Sequence, residues 1–318
     1  MMKTEICIAT VVVTYNRSVL LQETIRSLLE QSFNIDKIIL VNNCSTDNTE
    51  SLLQDNGYLD HPIVDYLKLE ENTGGAGGFY TGLKHLQDNY NFEYVWMMDD
   101  DAEPENKCLE VILKAMNETN ADVGSCIVKN LDGSIDIFHR GEIINTVKTI
   151  EHLPHSLIEG DQEVDFISFV GPLYKKEVID KVGLPNKDFF IHNDDFDYSI
   201  RIKKLKFKSI LTFETFILHK QESTIFAQDN SLNKRFNRIS PPRHTNNILR
   251  FKFSLYAFRN MIYLIRRECG LLPAIIYSFN FFSKEIIKLV VYNEIKLIFL
   301  KIYLKCAISA LTGKLGKI

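Results

Sequence analysis

Tryptophan is nearly missing from this chain: Trp96 stands alone among 318 residues. Paired cysteines are missing as well. The six present (Cys7, Cys44, Cys108, Cys126, Cys269 and Cys306) lie far apart with no C-x-x-C spacing, which excludes the common zinc and thiol-redox motifs and reads as the reduced thiols of a cytosolic chain. In the C-terminal quarter the longest uncharged run, residues 269–283, is 15 residues long and contains Pro273. A spanning helix needs ~20 apolar residues, so no transmembrane helix is expected. Met1 to Glu5 shows no basic region, apolar core or small-residue cleavage site, so no secretion signal is expected. A hydrophobic share of 45% and a charged share of 25% exclude a disordered or fibrous chain.

Charge of one sign is scarce overall, at a net −4, but it is unevenly spread. From Phe251 to Ile318 eleven Lys/Arg face three Glu, so this tail is +8 and the preceding 250 residues are −12. An acidic body excludes a nucleic-acid partner. In residues 283–292 and 294–305, lysines recur at helical intervals among Ile, Leu, Phe and Tyr. That pattern suits helices lying in a membrane interface, lysines on anionic head groups. A helical subdomain packed on the main domain, or a homo-oligomer interface, is the alternative.

Residues 6–14 form a continuous, mostly β-branched run, as in a parallel strand buried on both faces. Leu20, Leu21, Ile25, Leu28 and Leu29 follow at helical spacing, then a second strand from Lys37 to Asn43 and a second helix from Asp47 to Leu53. This βαβα order predicts an α/β sheet whose ligand lies beyond the carboxyl ends of the strands. Thr14, Tyr15, Asn16 and Arg17 fall there, as do residues 42–47, including Asn43. Next comes Asn72-Thr-Gly74-Gly75-Ala-Gly-Gly78, where backbone amides can approach a phosphate or sugar, ahead of a helix expected over residues 80–86.

The decisive segment is the apolar strand Tyr94 to Met98 ending in Asp99, Asp100 and Asp101. Adjacent buried carboxylates are costly unless a cation neutralises them, and hard divalent ions that bridge diphosphates take carboxylate oxygens. Side chains alternate along a strand, so Asp99 and Asp101 share one side while Asp100 points elsewhere.

Together, Thr14 to Arg17, residues 41–47, Asn72 with its glycines, and Asp99 to Asp101 resemble the family 2 glycosyltransferases over residues 5–225. The form Asn-Thr-Gly-Gly-Ala-Gly-Gly-Phe followed by Asp-Asp-Asp resembles the galactofuranosyltransferase branch. The resemblance implies an α/β GT-A (Rossmann-like nucleotide-sugar-binding) domain over residues 1–235 and a mostly helical, basic C-terminal region over 236–318, joined near residues 228–247. It implies an inverting transfer, with galactofuranose from UDP-galactofuranose as the expected donor. A divalent metal, Mn2+ or Mg2+, would be held by Asp99, Asp101 and His219. The general base maps best onto Asp195, with Asp194 as the near alternative, in the cluster that runs from His192 to Asp197. Phe169 to Leu173 would line the acceptor site, and Thr14 to Arg17, Asn43, Asn72, Gly74, Gly75, Asp100, Phe169 and His192 would touch substrate. Expected partners are a UDP-sugar and a glycan or lipid-linked glycan acceptor at the inner face of the cell membrane, with peripheral membrane association. A rhamnosyl or other hexosyl transferase, or a non-catalytic nucleotide-sugar-binding scaffold, are the rivals. His139, His152, His155 and His244 have no comparable context and read as structural.

Overall fold

A computed structural model describes residues 4–5, 7–145, 149–152, 160–220, 248–291 and 297–318. The expected linker over 228–247, the domain boundary near 235, His155 and His244 lie outside the described residues, and His152 has no described side chain. Two compact units emerge: Met1–Lys187 with Asp194–Gln221, and Asp188–Asn193 with Glu222–Ile318.

In the first unit the chain alternates strands and helices: β1 (Ile8–Thr14), α1 (Ser18–Leu29), β2 (Lys37–Asn42), α2 (Thr49–Asp55), β3 (Val64–Lys68) and α3 (Gly74–Asn89). It continues through β4 (Tyr94–Asp99), β5 (Ala102–Pro104), α4 (Cys108–Thr119), β6 (Val123–Lys129), β7 (Arg140–Asn145), β8 (Gln162–Glu163), β9 (Leu173–Lys175), α5 (Lys176–Val182), α6 (Asp194–Lys204) and β10 (Ser209–His219). All these strands except β7 build one nine-stranded sheet in the order β8-β10-β6-β9-β4-β1-β2-β3, with β5 paired to β10. β1 is parallel to both β2 and β4, whereas β9 runs antiparallel between β4 and β6, so the sheet is mixed.

β1 shows why its residues are all apolar or small. Alternation sends Ile8 and Val12 to one face, with Leu21, Ile25 and Leu28 of α1, and Ala9, Val11 and Val13 to the other, with Phe79, Leu83 and Leu86 of α3. Both faces are covered, so every side chain from Ile8 to Thr14 is buried. Register then aligns the strand ends: Thr14 lies opposite Asn42, and Val13 opposite Asp99. The three loops that leave β1, β2 and β4 therefore start at one edge of the sheet.

The glycine run is helix, not loop. α3 begins at Gly74, six residues before the expected start, with Gly74 itself at φ +72°. The run works in packing: a Cβ on Gly78 would sit 2.4 Å from Val13 Cγ1, and one on Gly82 2.5 Å from Val11 Cγ1. The absent side chains let α3 lie close on β1, which outweighs the helix-propensity cost of glycine, roughly 1 kcal/mol each.

The second unit holds three helices, α7 (Ile248–Cys269), α8 (Leu271–Val291) and α9 (Leu297–Thr312). Phe258 of α7 stacks on Phe281 of α8 at 4.1 Å between centroids and meets Tyr303 of α9 edge-on at 5.5 Å. The segment Asp188–Asn193 belongs to this unit, with Phe190, His192 and Asn193 at positive φ. Buried Asn260 holds it by donating to the carbonyls of Phe189, Ile191 and His192, and Arg259 donates to those of Asp188 and Phe189. Among the described residues no helix is long and apolar enough to cross a membrane.

Gly82→Ala should overpack the α3–β1 contact, because a branched valine on a buried strand has little room to yield. Thermal or urea unfolding is expected to show a loss of about 1–3 kcal/mol, while Gly75→Ala, with nothing within 4 Å of the new Cβ, costs far less.

Candidate functional site

The site forms where β1, β2, β4 and β10 end. Arg17, just beyond β1, donates from Nη1 to Asp100 Oδ1 at 3.1 Å and also pairs with Asp101 Oδ2. The Tyr15 amide donates to Asp100 Oδ2 at 3.2 Å, and Thr24 Oγ1 of α1 donates to the Asp100 carbonyl at 3.0 Å. Asp100 is thus turned toward the β1 loop, while Asp99 and Asp101 converge with His219, the last residue of β10. β10 brings the histidine there by pairing with β5, His219 opposite Ala102, and the Lys220 amide donates to the Asp101 carbonyl.

His219 Nε2 lies 3.3 Å from Asp101 Oδ1, and one ligand atom from each of Asp99, Asp101 and His219 falls within 4.8 Å of the others. Asp101 Oδ1 is buried and takes no hydrogen bond of good geometry. An orphaned, buried carboxylate oxygen beside a second carboxylate and an imidazole is the chemistry of a divalent-ion site, so the residues present fit the expected metal.

Charge explains the titration of the group. Burial and the neighbouring Asp101 push Asp99 up to about 7. Burial pushes Asp100 up to about 6 against the pull of Arg17. Burial also works upward on Asp101, but contact with His219 and the charges of His219 and Arg17 outweigh it and hold the carboxyl below its ordinary range. Burial would lower His219, yet Asp101 and Asp99 raise it.

The other candidates divide by what they touch. Asn16, at φ +55°, bridges two loops: its Oδ1 accepts from the Thr46 amide at 2.7 Å, and its amide donates to Ser45 Oγ at 3.0 Å. Asn43 is buried, accepts from the Thr73 amide at 2.9 Å and donates to the Gly74 carbonyl at 2.9 Å, so it fixes the start of α3. Asn72 Oδ1 accepts from the Gly74 amide at 2.8 Å. Thr14 is buried, Tyr15 is exposed and Gly75 is half-buried. Phe169 is buried edge-on against Phe79 at 5.0 Å and Tyr198 at 5.8 Å, engaged in packing. His192 groups with the second unit.

α6 opens with Asp194, Asp195 and Asp197 and closes with Arg201, Lys203 and Lys204, an arrangement that suits the helix dipole. The three aspartates differ in state. Asp197, 1% exposed, is spent on Arg201 at 3.1 Å. Burial and the adjacent Asp195 drive Asp194 well above the carboxylate range. Burial takes Asp195 only to about 6, with the Phe196 amide donating to its Oδ1 at 2.7 Å.

One neighbour was missed. Asp136 and His139 sit beside His219, with His139 Nε2 3.3 Å from Asp136 Oδ2 and the two imidazole rings edge-on at 4.7 Å. His139, read as structural from the sequence, thus adjoins the candidate site. The Asp-x-x-His spacing of residues 136–139 was the available signal.

A model of the family described as glycosyl transferase family 2 matches residues 10–183. The chain is 28% identical over 220 residues to galactofuranosyltransferase GlfT1 of Mycolicibacterium smegmatis, covering 67% of this chain and 70% of that one. It is 27% identical over 229 residues to the GalNAc(5)-diNAcBac-PP-undecaprenol beta-1,3-glucosyltransferase of Campylobacter jejuni, covering 70% of this chain and 66% of that one. Among solved structures, S. aureus TarS 1-349 in complex with UDP-GlcNAc is similar with a TM-score of 0.56 and 15% identity, over 98% of this chain and 84% of that chain. GalNAc-T7 with UDP, GalNAc and Mn2+ gives a TM-score of 0.56 at 12% identity, over 67% of this chain and 44% of that chain. These likenesses show the fold, GT-A-like with a helical C-terminal region, as expected from the sequence.

A carboxyl raised in the folded state favours folding while protonated and opposes it once charged. The Asp195 contribution is therefore fully present below its unfolded value of 3.8 and is lost as pH rises to about 6. Asp195→Asn, which keeps an acceptor for the Phe196 amide, should unfold at higher denaturant than the parent at pH 7, by about 1–3 kcal/mol, and match it near pH 4. Paired urea titrations at the two pH values check this.

Proposed function

Because the chain belongs to glycosyl transferase family 2, we propose that it is an inverting, divalent-metal-dependent enzyme moving galactofuranose from UDP-galactofuranose onto a cell-envelope polysaccharide or lipid-linked glycan. The observation that carries the reading is the convergence of Asp99, Asp101 and His219 at the strand ends, in one compact unit with the half-buried Asp195. The galactofuranosyltransferase named among the relatives supports the choice of sugar. As a second reading, the Campylobacter relative, named as a glucosyltransferase, favours UDP-glucose.

Asp99, Asp101 and His219 would hold the metal, Mn2+ or Mg2+. When bound, that ion supplies positive charge to offset the departing diphosphate. Arg17 pairs with Asp100 and Asp101 and favours their charged forms, and Thr14 to Arg17, Asn43, Asn72, Gly74 and Gly75 shape the donor loops. Asp195 accepts the proton of the acceptor hydroxyl as that oxygen attacks the anomeric carbon from the side opposite the leaving group. Burial and the Asp195 charge favour the protonated form of Asp194 more strongly than that of Asp195, which makes Asp194 the weaker candidate. Asp197 is committed to Arg201. No covalent sugar–enzyme intermediate enters a single displacement of this kind.

The second unit supplies a reason for peripheral attachment at the inner membrane face. Leu271, Leu272, Ile275, Ile276 and Phe279 recur along one side of α8 and are 44–71% exposed. Such an apolar stripe on a net basic tail matches an interfacial helix on anionic lipid. Phe279→Glu is expected to cut binding to phosphatidylglycerol-containing vesicles in a flotation assay at least several-fold, leaving hydrolysis of soluble donor unchanged. Equal flotation of variant and parent would discard the attachment.

Turnover should require Mn2+ or Mg2+, stop with chelator, and favour UDP-galactofuranose over UDP-galactopyranose, UDP-glucose and dTDP-rhamnose. Preference for another donor would remove the sugar assignment while keeping the chemistry. The rate should rise with pH through about 6 and level above it, as Asp195 loses its proton. Asp195→Asn should lower kcat about 100-fold or more, with little change in donor KM.

A further inference from the structure

We propose that Asp136, His139 and His219 form a second divalent-cation site, suited to Zn2+-like ions, that competes with Asp99 and Asp101 for His219. One ligand atom from each of the three lies within 4.8 Å of the others. His139 and Asp136 are each 15% exposed and His219 only 6%, so the group is sheltered without being sealed.

The separations are compatible with ligation. His139 Nε2 and Asp136 Oδ2 stand 3.3 Å apart. Two ligands on a tetrahedral ion with bonds of about 2.0–2.1 Å are separated by roughly 3.3 Å. Ser168 Oγ lies 2.8 Å from His139 Nδ1 and accepts from Arg140 Nη1 and the Val170 amide, so an outer partner holds the His139 ring beside Asp136.

The two clusters differ in donor set. Asp99, Asp101 and His219 offer two carboxylates and one imidazole, which suits harder ions such as Mn2+ or Mg2+. Asp136, His139 and His219 offer two imidazoles and one carboxylate, which suits Zn2+ or Co2+. A neutral imidazole gives one lone pair, so an ion in either cluster takes His219 from the other. The competition rests on the reading of Asp99, Asp101 and His219 as an ion site, whereas binding at the second cluster does not.

Co2+ is the probe, followed by visible absorption and equilibrium dialysis on the full chain, with circular dichroism to confirm folding. The Asp99→Asn chain should still bind one Co2+ with the intense visible bands of a low-coordinate imidazole site, displaceable by Zn2+. Adding His139→Gln, or Asp136→Asn if that chain fails to fold, should weaken binding by more than about tenfold and remove the bands. Loss of all Co2+ binding in Asp99→Asn alone, or binding unchanged by both second-cluster substitutions, would overturn the proposal. The first-site reading is tested separately: it fails if Asp99→Asn leaves Mn2+ affinity unchanged, whatever Co2+ does.

Discussion

Three consecutive carboxylates at the end of a buried strand are the constraint around which the first unit is arranged. Asp100 and Asp101 are 5% and 2% exposed, and like charges so placed repel unless cations share the space. Arg17 from the β1 loop and His219 from the end of β10 stand against these carboxylates. Each arrives through the sheet: β1 by its parallel register with β4, and β10 by its antiparallel pairing with β5. The cost of leaving Asp99 near neutrality, raised to about 7, is part of the same arrangement.

The loops follow from that edge. Asn16 ties the β1 loop to residues 45–47, and Asn43 ties the β2 loop to the first turn of α3, so each loop is held by amide hydrogen bonds from its neighbour. Glycines then set α3 close against Val11 and Val13 of β1. Asn16 and Asn43 are thus engaged in building the loops at the strand ends.

Much of this was legible in the sequence because it is local. The apolar run ending in three aspartates, the β-branched first strand and the acidic start of α6 each announce themselves within about ten residues. His219 was placed by resemblance, since nothing in one sequence says which of two distant strands will pair. The glycine run was placed ahead of the helix, whose start was set at residue 80, because helix propensity is a local rule, and close packing on a valine strand overrode it. Asp136 and His139 were passed over for the opposite reason: their partner is 80 residues away, and only the sheet brings them together. The resemblance ranked Asp195 first in α6 with Asp194 as the alternative, and the structure separates the three aspartates by contact: Arg201 pairs with Asp197, while burial raises Asp194 further than Asp195.

The central claim is that Asp99, Asp101 and His219 were brought together to hold a cation. Crystals grown with Mn2+ and UDP, with data collected at the manganese absorption edge, would locate the ion by its anomalous scattering. The account predicts one strong peak within coordinating distance of a carboxylate oxygen from each aspartate and of an imidazole nitrogen of His219. A peak bound only by the diphosphate, or one that leaves His219 and both aspartates uncoordinated, would contradict it.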